Sequence, residues 1–275
     1  MPLRRGEGHP DAGRGARVVA HPAPSGATAP ATVGVVIPAA GVGRRLGTHG
    51  AKALVRLAGR PLLVHAVAAM EANRCVAAVV VAAHPDTREA CAKLLADEGF
   101  AKVVAVVAGG PTRQASVAAG LAALPPGPAF VAVHDAARPL PGPGAVDHLL
   151  ELLQAARAGA GGDRPAGVVP GVPVVDTVRR VDAGERSRGI VDRDRLRAIQ
   201  TPQLFLRGAL EAAHRNASLG GIDATDEAAL VELAGHPVQV VPGSHENLKV
   251  TTALDLVVAE ALLARRERER ETGPP

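Results

Sequence analysis

The chain has no Trp, no Tyr and three Phe in 275 residues, so aromatics make up 1% of it. A stacking platform for bases needs several rings, and Phe100, Phe130 and Phe205 are too few to build one. Any base must be read by backbone groups and small polar side chains, and the core must be made of Ala, Val and Leu. Cysteine is as scarce: Cys75 and Cys91 cannot supply a disulfide framework or a zinc site. Their apolar surroundings predict two buried, unpaired thiols. No apolar run reaches the ~18 residues of a transmembrane helix, and residues 1–31 lack the apolar segment of a signal peptide. The expectation is a soluble, cytoplasmic protein with no membrane partner. Also missing are a nucleophile elbow with its Ser, Asp and His in order and an HExxH pair. His134-Asp135 does not have the spacing of a metal pair.

Lysine is rare among the basic residues: only Lys52, Lys93, Lys102 and Lys249 occur. A chain that otherwise uses arginine keeps lysine where a compact point charge is needed. The net charge of +4 does not indicate nucleic acid as a partner. Residues 1–31 carry four arginines against Glu7 and Asp11, which is +2 of the total. That stretch, rich in Gly, Pro and Ala without periodicity, reads as a disordered leader. Residues 265–271 alternate Arg and Glu, as a solvated helix end does, and 265–275 reads as a charged tail. The domain itself is expected over 32–264.

What is present is a glycine loop: Val33-Gly-Val-Val-Ile-Pro-Ala-Ala-Gly-Val-Gly-Arg-Arg-Leu-Gly47, with Lys52 shortly after. A buried strand that opens into such a loop brings bare N–H groups up to phosphate. Arg44, Arg45 and Lys52 add positive charge there. A dinucleotide fold does not fit, because Leu46 stands at the third glycine position and no acidic residue follows at the ribose distance. A P-loop does not fit either, because Ala53 rather than Ser or Thr follows Lys52. A plain strand-to-helix turn stays open as the other reading of this loop taken alone.

Apolar runs at 33–37, 76–82, 103–107 and 129–133, with a further one starting at Val168, alternate with helical stretches at 61–73, 86–97, 112–124 and 145–157. This pattern predicts an α/β fold, Rossmann-like and doubly wound, with a mostly parallel sheet covered on both faces. Ligands bind beyond the carboxyl ends of such strands. The loops 38–52, 109–116 and 134–139 each follow a strand and should gather on that edge. Residues 172–198 break the rhythm. Alternation over 172–181, a turn at 182–184 and a second run at 189–193 predict a projecting β-hairpin arm with a polar outer face. Such an arm usually packs against something, often a second subunit, and an exposed surface loop stays open as the other reading. Asp86 with Glu89, and Thr252 with Asp255, have capping-box spacing, and Thr112 and Thr225 read as helix-start residues. A strand is expected at 238–241. Carboxylates near these motifs are Asp135, Asp176, Asp223 and Asp226, but the clustered chemistry is cationic: Arg45, Lys52, Arg138, Arg193 and Lys249, beside Gly41 and Gly43. That set suits phosphoryl or nucleotidyl transfer, in which positioning and charge neutralisation dominate. A phosphate nucleophile, ionised at neutral pH, needs no general base. Taken singly, Arg44 and Lys249 also read as surface charges, and Asp135, Ser116 and Thr225 as ordinary turn or helix-start residues.

Seven pieces together resemble the 2-C-methyl-D-erythritol 4-phosphate cytidylyltransferase family, in family order over about 33–263. They are the glycine loop from Pro38 to Gly47, Gly109-Gly-Pro-Thr-Arg-Gln-Ala-Ser-Val117, Val133-His-Asp-Ala-Ala-Arg-Pro139, Pro173-Val-Val-Asp-Thr-Val-Arg-Arg-Val181, Gln200-Thr-Pro-Gln203, Thr225-Asp-Glu-Ala-Ala-Leu-Val-Glu232 and Asn247-Leu-Lys-Val-Thr-Thr252. The resemblance implies a nucleotidyltransferase fold that moves CMP from CTP to methylerythritol 4-phosphate with release of pyrophosphate. It implies Mg²⁺, mainly on the CTP phosphates with Asp135 nearby. By the same resemblance Ala39, Ala40, Gly41 and Gly43 hold CTP, Gly110 and Ser116 read cytosine, and Arg45 and Lys52 stabilise the transition state. Arg193 and Lys249 position the attacking phosphate, and Asp135, Arg138, Thr177, Thr201 and Thr225 line the acceptor pocket. A homodimer is implied, with the arm carrying Thr177 and Arg193 to the partner's site. Three positions depart from the family pattern: Ala51 stands where proline usually precedes the lysine, Pro111 replaces a polar residue, and Arg197 replaces a common Trp before Gln200. Ribitol 5-phosphate as acceptor and a non-catalytic nucleotide-binding protein are the competing readings.

Overall fold

The computed structural model describes residues 32–41, 51–159 and 162–272. In chain order the elements are β1 (Val33–Ala39), β2 (Arg56–Leu57), β3 (Arg60–Pro61), α1 (Leu62–Glu71), β4 (Val76–Ala83), α2 (Arg88–Asp97), β5 (Val103–Ala108), α3 (Arg113–Ala123), β6 (Phe130–Val133) and α4 (Ala145–Ala158). There follow β7 (Gly167–Pro173), β8 (Val178–Val181), β9 (Ser187–Val191), β10 (Arg197–Ile199), β11 (Gln203–Leu206), α5 (Arg207–Gly220), α6 (Glu227–Leu233), β12 (Val238–Pro242) and α7 (Ala253–Thr272).

The main sheet runs β10-β7-β11-β6-β1-β4-β5, with β12 also paired to β7. Strands β6, β1, β4 and β5 are mutually parallel, as is the β12–β7 pair. Strand β11 lies antiparallel between β6 and β7, and β10 is antiparallel to β7. The expected parallel core is therefore present, and the antiparallel strands lie toward the arm. The period-two alternation of a strand divides the core between the two faces. Val33, Val35 and Ile37 of β1 pack with residues of α1, α2 and α4, such as Val67, Leu95 and Leu153. Val36 points the other way, among Val117 and Leu121 of α3 and Leu210 of α5. Gly120 sets the closeness of α3 to β1, because a Cβ there would meet Val36 Cγ1 at 2.4 Å. That approach fixes the axis of α3 and so the position of its N-terminus at the sheet edge.

Helix starts follow the local chemistry, with two corrections. Thr112 Oγ1 accepts from Ala115 N–H at 3.0 Å and caps α3 as expected. The box at α7 also forms: Asp255 Oδ2 accepts from Thr252 N–H at 2.7 Å, and Thr252 Oγ1 accepts from Asp255 N–H at 3.3 Å. The Asp86–Glu89 box does not form, because a 3₁₀ turn over Pro85–Thr87 delays α2 to Arg88. Asp226, not Thr225, caps α6, accepting from Ala229 N–H at 3.1 Å.

Strands β8 and β9 form a separate antiparallel pair, the predicted hairpin, closed by Asp182 Oδ1 accepting from the N–H groups of Gly184 and Arg186. Its surface is less polar than expected, because Val181 and Ile190 are exposed, as is Val175 in the segment leading into β8. Cys75 and Cys91 are buried and unpaired, and burial raises both thiols, Cys75 to about 12. Among the described residues no helix is long and apolar enough to cross a membrane.

Candidate active site

The carboxyl ends of β1, β5 and β6 deliver three loops to one edge of the sheet, and the segment before α7 joins them. Between them lies a cavity of about 310 Å³. Its wall takes Ala39, Ala40 and Gly41 from the first loop and Lys52 from that loop's far end, Gly110 and Ser116 from the second, Asp135 from the third, and Lys249. The neck of the first loop is closed by Lys52 N–H donating to Gly41 O at 3.1 Å, which places Lys52 at the strand end. Gly43 and Arg45, along with Arg44 and residues 1–31, lie outside the described residues.

The second loop is shaped by Ser116. Its Oγ accepts from Gly110 N–H at 3.1 Å and donates to Thr112 O at 2.9 Å. The hydroxyl, in a residue only 2% exposed, thus holds the loop on α3. Gly110 is required by packing: a Cβ would lie 2.4 Å from Ala115 Cβ.

Lys249 is held from both sides in sequence. Val250 N–H donates to Ala137 O at 2.8 Å, and Arg138 Nη1 donates to Asn247 O at 2.6 Å. Asn247 Nδ2 in turn donates to Thr201 O at 2.8 Å. Arg138 and Thr201, expected to line the pocket, are instead buried behind its wall, where they lock this segment to the sheet. Thr201 Oγ1 accepts from Asp135 N–H at 3.0 Å and donates to His134 Nδ1 at 3.2 Å, and His134 Nε2 donates to Arg138 O at 3.0 Å. Burial holds the His134 imidazole down at about 4, so it is neutral and fits this relay.

Asp135 carries the negative charge among the described residues of the wall. Its Oδ1 receives Arg113 Nε at 3.0 Å and its Oδ2 receives Lys249 Nζ at 2.7 Å. Burial alone would raise its carboxyl, but the Arg113 and Lys249 charges outweigh burial and hold it well below the usual carboxylate range. Arg113 Nη1 also reaches both oxygens of Glu227, at 2.9 and 2.7 Å. Burial pushes the Glu227 carboxyl up, and Arg113 offsets only part of that shift; the same two carboxylates overcome burial at Arg113 and stabilise its charged form. The two short contacts are those of a carboxylate with a guanidinium. Sequence reasoning singled out neither Arg113 nor Glu227. The signal was their place inside motif segments, each at the first position of a helix that opens on the site edge.

Thr225 is exposed and outside the cavity. Thr177 and Arg193 sit on the arm and are exposed, and Arg193 donates to Val175 O. None of these three is brought to the cavity within one chain. Among the described residues no three His, Cys, Asp or Glu side chains gather as a metal cage. Asp135 is the only carboxylate among the described lining residues. Its oxygens each retain a lone pair beyond the bonds to Arg113 and Lys249, so it fits a cation carried mainly by substrate oxygens.

The family model for 2-C-methyl-D-erythritol 4-phosphate cytidylyltransferase (IspD) matches residues 33–265. A protein of that name from Streptomyces coelicolor is 49% identical over 245 residues, covering 86% of this chain and 87% of the relative. The crystal structure of the Thermus thermophilus protein of that name superposes with a TM-score of 0.66 at 38% identity, covering 85% of this chain and 99% of that one. The 4-diphosphocytidyl-2C-methyl-D-erythritol synthase of Anaerococcus prevotii gives 0.71 at 25% identity, with 85% and 98% covered. A sheet whose strand ends carry these motifs, matched along nearly its whole described length, leaves one assignment: the chain belongs to the 2-C-methyl-D-erythritol 4-phosphate cytidylyltransferase family.

Proposed function

We propose that the chain transfers CMP from CTP to 2-C-methyl-D-erythritol 4-phosphate in the cavity at the carboxyl edge of the sheet. The observation that carries this siting is that two of only four lysines, Lys52 and Lys249, line one cavity although they come from opposite ends of the domain. A cavity of about 310 Å³ is within the range of small-molecule sites.

An oxygen of the acceptor phosphate attacks the α-phosphorus of CTP, the bond from that phosphorus to the bridging oxygen breaks, and pyrophosphate leaves. The nucleophile is already ionised, so the protein's task is to neutralise and align. Lys52 neutralises the triphosphate, with the backbone of Ala39, Ala40 and Gly41 around it, and the sequence motif assigns Arg45 and Gly43 to the same two tasks. Gly110 and Ser116 border the cytosine, and Lys249 holds the acceptor phosphate. Asp135 faces the sugar alcohol, and Arg138 and Thr201 keep that wall in place, while Thr225 stays outside the cavity. The arm of a second subunit adds Thr177 and Arg193. Magnesium is the divalent ion of this reading: when bound it adds charge neutralisation at the phosphates, with Asp135 the residue that would hold it.

The test is pyrophosphate release by purified protein given CTP or UTP, magnesium, and either methylerythritol 4-phosphate or ribitol 5-phosphate. CTP with methylerythritol 4-phosphate should turn over fastest. Preference for ribitol 5-phosphate, or no release from any pair, would overturn the reading.

A further inference from the structure

Glu227 is a costly residue where it stands. Its carboxylate is buried to 1% exposure at the first position of α6. It is not needed as a cap, because Asp226 already takes Ala229 N–H and also receives Gln203 Nε2 at 2.8 Å. Nor is a buried ion pair an efficient source of stability, since apolar side chains of similar volume commonly serve as well or better. Its partner is equally out of place locally: Arg113 sits in the first turn of α3, where the helix dipole disfavours a cation.

Both oddities face one point. The guanidinium of Arg113 is planar, so fixing one edge fixes the other. Nη1 is pinned by both Glu227 oxygens, and Nε therefore presents to Asp135 Oδ1 in a set direction. The other Asp135 oxygen meets Lys249 Nζ. Charges thus alternate along Glu227, Arg113, Asp135 and Lys249, drawn from four separate segments.

We infer that Glu227 is a positioning residue: acting through Arg113 and Asp135, it fixes where Lys249 presents its ammonium group. This rests on the reading that Lys249 holds the acceptor phosphate. Glu227 itself touches no substrate. Its loss leaves Arg113 free to turn, and Asp135 then loses its orientation toward Lys249.

Two arms test it. In the kinetic arm, Glu227→Gln, which keeps the volume and one acceptor, should lower kcat/KM for methylerythritol 4-phosphate by about tenfold or more. The KM for CTP should stay within about twofold, and in a Lys249→Ala background the same substitution should cost less than about twofold. An equal loss in both backgrounds would mean a merely structural role and would overturn the inference. Where Glu227→Gln does not fold, Arg113→Lys takes its place in the cycle, since it keeps the charge and removes the fork. The second arm needs no activity: the four lysines are labelled by reductive ¹³C-methylation and assigned by Lys→Arg variants. Glu227→Gln should move the Lys249 resonance and leave those of Lys93 and Lys102 unchanged. An unmoved Lys249 resonance defeats the inference even if the enzyme is inactive. Inactive wild-type protein with a moved resonance instead defeats the substrate assignment alone.

Discussion

Lys249 Nζ lies 2.7 Å from Asp135 Oδ2, joining the segment before α7 to the loop after β6. The contact comes from backbone placement before charge. Val250 N–H on Ala137 O and Arg138 on Asn247 O hold the two segments together, so the lysine begins within reach of the carboxylate. The side chain of Lys249 is still 42% exposed, against 10% for Asp135. An acceptor phosphate can therefore recruit the ammonium group without opening the fold.

The two lysines of the cavity should separate kinetically. Lys249→Ala should lower kcat/KM for methylerythritol 4-phosphate by on the order of 100-fold, and Lys52→Ala should lower kcat/KM for CTP by a similar factor. Thermal unfolding of Lys52→Ala should stay close to wild type, whereas Lys249→Ala should unfold earlier, because buried Asp135 loses one of its two cationic partners. Steady-state kinetics with each substrate varied in turn checks this. Activity unchanged in both variants would remove the cavity from the chemistry.

The loop at Gly110 makes a different prediction. A methyl group at that position would meet Ala115 Cβ at 2.4 Å, so Gly110→Ala must displace the loop that Ser116 holds. Overpacking of this kind costs about 1–3 kcal/mol. On the proposal that the loop borders the nucleotide, the loss should be read as a rise of about tenfold in the KM for CTP, with the acceptor KM little changed. Ser116→Ala should act the same way, by leaving Gly110 N–H without its acceptor. A normal KM for CTP in both variants would show that this loop does not border the nucleotide.

Stability should fall with acid over a window set by two histidines. Burial lowers both His134 and His214 to about 4 in the fold, against an ordinary value near 6.5. Between those values the unfolded chain binds more protons, so stability declines as pH falls, by up to about 1.4 kcal/mol per pH unit for each group. Asp135, with its depressed carboxyl, gives stability that is present above its unfolded value near 4 and lost only at lower pH. Glu227, with a raised carboxyl, works the other way in the lower part of the window. Among the described residues His214 Nε2 has no hydrogen-bond partner, so His214→Leu isolates one histidine at small structural cost. Urea unfolding at pH 7 and pH 4.5 should show a smaller difference for His214→Leu than for wild type. Equal differences would place the proton uptake elsewhere.

The parts of this site that are legible in the sequence are those with local causes. Continuous apolar runs mark β1, β4, β5 and β6, and glycine or polar loops after β1, β5 and β6 mark the binding edge, so Ala39 to Gly41, Gly110 and Asp135 emerge together. Strand β11 has only Gln203–Leu206 and no long periodic pattern, so its antiparallel insertion between β6 and β7 is not visible there. The Arg113–Glu227 pair joins two helix starts far apart in the chain, and only the packing of the fold brings them together. Thr225 reads as a cap because both it and Asp226 have capping chemistry, and a spacing of one residue cannot separate them. Arg138 and Thr201 have the expected neighbourhood but a different depth, since a motif does not state which side chains face the cavity.

The arm supplies the last prediction. Val175, Val181 and Ile190 are 70%, 52% and 65% exposed, which is unusual for three large apolar side chains on one small arm. Thr177 and Arg193 lie on the same projection, away from the cavity of their own chain. If the arm packs on a second subunit and Arg193 serves its partner's site, two inactive variants should complement each other. In a heterodimer of Lys52→Ala and Arg193→Ala chains, one site combines both defects and the other has neither. After unfolding and co-refolding in equal amounts, half the dimers are mixed, so activity should recover to about a quarter of wild type. Each variant refolded alone should stay inactive. Without recovery, and with both variants dimeric by sedimentation, Arg193 would have to act within its own chain or not at all.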